Sequence, residues 1–148
     1  MTDVQGQTST TAYDPMGRPY YQHSATGSFN VMTYHPGAGS ICPSHTQYYV
    51  YTRSSYQLNN VNQAVAPQQF TCYDAMGREI RTRTENFEAN QWIYVDSLYD
   101  DSGRSLATSR PLSSPGSLAQ LNQWGLSEFD DLGRVWRLRN PDGSMQRT

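Results

Sequence analysis

The sequence predicts an all-β protein, built of antiparallel β-hairpin repeats that form a curved meander sheet. Three observations predict it. Charged residues make up only 16% of the 148-residue chain, against the ~25% of an average globular domain. The chain carries 11 Tyr, 3 Trp and 4 Phe, and aromatic residues suit a pleated, half-buried surface. Above all, one six-residue string returns four times.

That string is Tyr13-Asp14-Pro15-Met16-Gly17-Arg18, then Tyr73-Asp74-Ala75-Met76-Gly77-Arg78, Tyr99-Asp100-Asp101-Ser102-Gly103-Arg104 and Phe129-Asp130-Asp131-Leu132-Gly133-Arg134. Aromatic, Asp, Gly and Arg keep fixed offsets. Asp first, Pro second and Gly fourth is the signature of a type I turn. The Asp side chain can accept backbone N–H groups two residues on, and the Gly can take the left-handed conformation that closes a hairpin with a G1 bulge. A degenerate copy is expected near residues 34–39, at Tyr34-His35-Pro36-Gly37. Asn140-Pro141-Asp142-Gly143 repeats the turn chemistry near the C-terminus.

The segments between turns read as strands. Glu79–Thr84 alternates, with Ile80, Thr82 and Thr84 expected on one face and Glu79, Arg81 and Arg83 on the other. Val135–Arg139 likewise sets Trp136 and Leu138 against Val135, Arg137 and Arg139. Gln47–Arg53 and Gln91–Asp96 are rich in β-formers on both faces. Only Ser117–Trp124 hints at a helix, with a Ser cap and apolar residues three apart. Residues 1–12 are expected to be an N-terminal extension and 13–148 the repeat region. A unit begun at Phe129 calls for its next aromatic past Thr148, so the chain is expected to be a piece of a longer array.

Charge and cysteine content narrow the function classes. Net charge is −2 and all 11 cations are Arg, spread along the chain, which is a poor footprint for nucleic acid. No apolar run reaches the ~18 residues of a membrane span, and the first residues lack the pattern of a secretory signal. Cys42 and Cys72 have no zinc-ligand spacing. Two free thiols are the default expectation and a disulfide the alternative.

Tyr-Asp-x-x-Gly-Arg, followed by a strand and a Pro-Asp-Gly turn, resembles the Rhs or YD-repeat family. Residues 73–143 carry the likeness best, including Trp92–Asp96 before one motif and Ser109-Arg110-Pro111 after it. The family includes bacterial polymorphic toxins, insecticidal toxin-complex components and animal teneurins. The resemblance implies a segment of a secreted or cell-surface shell that encloses or presents a toxin. Its partners would be the remainder of the same polypeptide and an enclosed toxin domain. It implies no enzyme activity, cofactor or metal. Family shells are several times longer than this chain.

Other readings of the same residues are weaker. Asp14, Asp74, Asp100 and Asp130 as acid–base carboxylates are better explained as turn residues. Asp100-Asp101 and Asp130-Asp131 lack an EF-hand pattern. Asp14-Pro15-Met16-Gly17 has the form of the motif near which some family shells cut themselves, but it reads as a turn. Arg18, Arg78, Arg104 and Arg134 are expected to pair with an Asp of a neighbouring hairpin or stack on an aromatic. His23, His35 and His45 form no recognisable catalytic set. The rival function is an extracellular module that binds a glycan or receptor through exposed Tyr and Trp.

Overall fold

A computed structural model describes residues 8–58, 61–88, 90–117 and 119–147. Twelve strands form one sheet: β1 (Thr10–Tyr13), β2 (Pro19–His23), β3 (Ser28–Pro36), β4 (Tyr48–Leu58), β5 (Val61–Ala64), β6 (Gln69–Tyr73), β7 (Glu79–Glu85), β8 (Trp92–Tyr99), β9 (Ser105–Ser109), β10 (Trp124–Phe129), β11 (Val135–Arg139) and β12 (Met145–Arg147). They follow one another in space as in sequence, all antiparallel, except that β5 is a side hairpin on β4. This is the expected all-β meander. The first strand starts at Thr10, so Thr10–Ala12 belong to the sheet.

Because neighbours alternate in direction, connections alternate between two margins. All four Tyr-Asp turns, joining β1–β2, β6–β7, β8–β9 and β10–β11, lie on the same margin. The 37–47 loop between β3 and β4 takes the fifth place there. The other margin carries connections of varied length, including the 110–123 segment.

Each Tyr-Asp turn is a five-residue hairpin. The Asp N–H donates to the Arg carbonyl at 2.9–3.0 Å, and the Gly N–H donates to the Asp carbonyl at 2.9–3.0 Å. The glycines at 17, 77, 103 and 133 have φ between 76° and 82°. Ser24–Ser28 and Asn140–Ser144 repeat both backbone bonds. A β-branched residue resists left-handed φ, so Gly77→Val is expected to lower stability by about 1–2 kcal/mol in urea unfolding. A Cβ at Gly77 meets open space, but one at Gly133 stands 3.0 Å from Arg104 Nη1. Gly133→Val is therefore expected to disturb the neighbouring turn as well, visible as altered Arg104 and Phe129 resonances.

A register shift follows each turn, leaving one unpaired residue on the second strand: Tyr20, Ile80, Leu106 or Trp136. This corrects the strict alternation expected for β7. Glu79 lies with Thr82, to which it is hydrogen bonded, whereas Ile80 lies with Arg81 and Asp96 beside one crevice. Trp136 likewise stands beside Arg137, whose guanidinium is 5.1 Å from its ring.

Pairing register sorts the side chains into two faces. Tyr34, Val50, Thr71, Thr82 and Val95 form a row on one, the open face. His35, Tyr49, Cys72, Arg81 and Asp96 form a row on the other, the covered face. The core sits on the covered face, at Cys72, Ile80, Asp96, Ala107, Ser109 and Trp124, all buried. Two segments of the chain roof it. The 110–123 segment lies over Trp124, whose Nε1 donates to the Ser117 carbonyl at 3.0 Å. The 37–47 loop is tied down by a Cys42–Cys72 disulfide. That bond corrects the default expectation of two free thiols; strand pairing brings Cys72 under a loop that follows Tyr34 by only a few residues.

The helix expected over Ser117–Trp124 is not formed among its described residues; Leu118 lies outside them. Leu121–Gln123 make one 3-10 turn and Trp124 opens β10. Burying Trp124 against a pleated neighbour outweighs a propensity of a few tenths of a kcal/mol per residue.

Candidate functional site

The repeated residues converge on a ladder along the turn margin. In each turn the Asp Oδ1 accepts the N–H groups two and four residues on, and Oδ2 accepts the Arg Nε. Each motif Arg thus pairs with the Asp of its own turn, not with a neighbouring hairpin's. In three of the four turns the same guanidinium then covers the aromatic ring of the next unit. Arg18 lies 4.2 Å from the Tyr34 ring centroid, Arg78 4.7 Å from Tyr99 and Arg104 4.4 Å from Phe129. Where that ring is tyrosine, its hydroxyl donates back to the carbonyl after the arginine: Tyr34 to Pro19 at 3.0 Å and Tyr99 to Glu79 at 2.9 Å.

Tyr34 therefore fills the aromatic place of the degenerate copy, although no Asp turn follows it. Tyr73 stacks instead on Tyr48, at 4.8 Å and 12°. Tyr13 is 61% exposed and the Arg134 side chain 74% exposed, against 27% for Arg78. The sixteen motif residues thus lie along one margin of the sheet, in turns of identical bonding.

Electrostatics follows from this bonding. The backbone N–H of the motif arginine, with its guanidinium, holds the carboxyls of Asp14, Asp100 and Asp130 below the ordinary aspartate value. Burial pulls Asp74 the other way, yet the bonds from Arg78 and Met76 outweigh it and its pKa is also lowered. A carboxyl with a depressed folded-state pKa stabilises the fold above its unfolded value and loses that stabilisation as pH falls through the folded value. Unfolding midpoints are therefore expected to hold down to about pH 4 and to drop below it. A flat profile between about pH 5 and pH 2 would rule the turn carboxylates out as stabilisers.

The open face curls into a groove of about 900 Å³. Tyr34, Tyr48 and Tyr73 line its turn-side end, with Met32, Thr52 and Gln69 farther along. Burial, then the nearby Glu79 charge, pushes the Tyr73 phenol up, so it remains a hydroxyl donor at neutral pH. The groove joins flat rings to a row of hydroxyls, which can stack and hydrogen bond but offers no assembled nucleophile. On the covered face, Arg83 is 4.0 Å from the Trp92 ring centroid and 5.7 Å from both Phe70 and Tyr94.

The histidines stand apart. His35 stacks on Tyr49 at 4.7 Å, His45 lines the crevice above Ile80, and His23 lines a separate hollow beside Asn30. Among the described residues, no group of three His, Cys, Asp or Glu side chains is placed to hold a metal ion. No described helix is long and apolar enough to cross a membrane. Two features lie outside the motif residues: Tyr48, which joins Tyr34 and Tyr73 in the groove, and the unpaired bulge residues. The second had a sequence signal, since an apolar residue stands two places after every motif arginine.

No family model matches the chain, and no curated protein matches it either.

Proposed function

We propose that this chain is a wall segment: a structural YD-repeat piece of a bacterial shell that encloses or presents a toxin, secreted or held at a cell surface. The observation that carries this reading is the ladder. Every Tyr-Asp turn lies on one margin and spends its carboxylate within the turn, and the guanidinium groups of Arg18, Arg78 and Arg104 each cover a following ring. Residues so used join successive hairpins into a continuous surface, as a wall requires. Its partners are then the rest of the same polypeptide and the toxin behind the wall. The test is electron microscopy of the complete polypeptide, with protease protection of its toxin region. A hollow particle that shields the toxin supports the reading; a solid particle, or an equally exposed toxin, overturns it.

The groove favours a second reading, in which the chain is an extracellular module for glycans or a receptor. Tyr48 and Tyr73 form a flat platform beside threonine hydroxyls, as stacking on a sugar ring requires. A glycan array decides between them. Reproducible binding lost in Tyr73→Ala, or in Trp92→Ala or Trp136→Ala on the other face, with the circular dichroism of the sheet intact, would favour the binding module.

A further inference from the structure

The 37–47 loop is held to the sheet in an uneven way. Its base is bonded twice, Gly37 N–H to the Gln47 carbonyl and Gln47 N–H to the Tyr73 carbonyl, both at 2.8 Å. Its interior bonds are to itself: Cys42 N–H to Ala38 at 3.1 Å and Thr46 N–H to Pro43 at 3.0 Å. What ties the interior to the covered face is packing and the disulfide from Cys42 to the fully buried Cys72. The seat has a cost. Thr46 Oγ1 is buried there without a hydrogen-bond partner, and an unsatisfied buried hydroxyl opposes closure.

Beneath the loop lies a crevice of about 180 Å³, lined by Pro43, His45, Ile80, Leu98, Asp96 and Trp124. Ile80 is the unpaired bulge residue of its turn and is 5% exposed. The corresponding residues of the other three turns, Tyr20, Leu106 and Trp136, are 45%, 43% and 38% exposed. The loop stands on the margin between the Tyr13 and Tyr73 turns, but it leans over the second: Pro43 and His45 line the crevice with Ile80, and Tyr20 does not line it. Ile80 is therefore buried because the loop is closed, not because its bulge demands burial.

We propose that the Cys42–Cys72 disulfide is a redox latch: a dithiol reductant releases the 37–47 loop and uncovers the apolar crevice around Ile80, while the sheet stays folded. Cys42 is the half-buried partner, so its Sγ is the one an incoming thiolate reaches. Attack there breaks the S–S bond, and Cys72 leaves as a thiolate that takes up a proton. The second thiolate of the reductant then displaces Cys42, which is protonated in turn. The protein gains two thiols, two electrons and two protons, and the reductant becomes a cyclic disulfide. The sheet does not depend on the bond, because β4, β6 and β7 remain joined by their own ladders.

The experiment adds dithiothreitol to the oxidised chain and follows amide hydrogen exchange, a dye that binds exposed apolar surface, and far-UV circular dichroism. Exchange at the Cys42 and Thr46 amides is expected to quicken by about tenfold or more as the loop opens locally. Dye fluorescence should rise while the dichroism is unchanged, and re-oxidation should reverse both. Cys42→Ser with Cys72→Ala should show the open behaviour without reductant and no further response to it. Unchanged protection of both amides after reduction would overturn the proposal, since the loop would then be held without the bond. Loss of the sheet dichroism on reduction would overturn it too, since the bond would then be a staple for the whole fold. So would two free thiols in the protein prepared without reductant.

Discussion

Replacing Trp124 with alanine is expected to cost about 3–5 kcal/mol, the usual range for removing a buried aromatic side chain. Trp124 is 2% exposed and bonds the Ser117 carbonyl through its indole N–H. It is also the surface on which the 110–123 segment rests. A Cβ at Gly116 would come within 2.8 Å of its ring, so backbone and indole are in direct contact there. Removing the ring leaves a hollow under that segment and frees the Ser117 carbonyl. Urea unfolding followed by circular dichroism measures the loss. Trp136→Ala is the control: at 38% exposure its loss should be clearly smaller. Equal losses would show that the covered face is not where the stability resides.

The second large effect is expected at Asp96. Its carboxylate is buried, takes two bonds from the Arg81 guanidinium, and accepts the Gly116 N–H at 2.7 Å. Its backbone N–H donates to the Ser109 hydroxyl at 2.9 Å. Asp96→Ala leaves the Arg81 charge buried without a counter-charge and is expected to destabilise by about 3–5 kcal/mol. The pair as a whole is a different matter, because desolvation of two charges offsets most of their attraction. The double change Arg81→Met with Asp96→Leu is therefore expected to recover most of the stability lost by the single one. If the double variant is as unstable as Asp96→Ala, the bond to Gly116, not the charge pair, anchors the 110–123 segment.

These two residues also mark the limit of what sequence conveys. The Tyr-Asp turns were legible because each is local: Asp, Gly and Arg lie within five residues and bond mainly among themselves. The strand-rich fold was legible for the same reason, since alternation between turns needs no knowledge of the partner strand. Asp96 looked like an ordinary strand residue, because Arg81 and Gly116 reach it only through register and a long connection. Strict alternation places Ile80 on the wrong face because a single unpaired bulge residue breaks a period of two. The disulfide joins positions 30 apart in sequence, whose meeting depends on how β3, β4 and β6 lie side by side. In the ladder, the aromatic and arginine of one string were visible together, but the arginine serves the ring of the following string.

The two margins of the sheet differ in how much change they can absorb. On one, the four Tyr-Asp turns share a length, because a residue added there would separate the carboxylate from the guanidinium it holds and the guanidinium from the next ring. On the other, the connections range from the five-residue Ser24–Ser28 hairpin to the 110–123 segment, and none of their described residues takes part in the stacking. Insertions and deletions are therefore tolerated along the opposite margin, and on the turn margin only where the 37–47 loop replaces a Tyr-Asp turn. New loops, tags or recognition segments can be grafted opposite the turns without altering the pitch at which successive hairpins follow one another. The sheet has a seam that fixes its geometry and a fringe along which it is free to diversify.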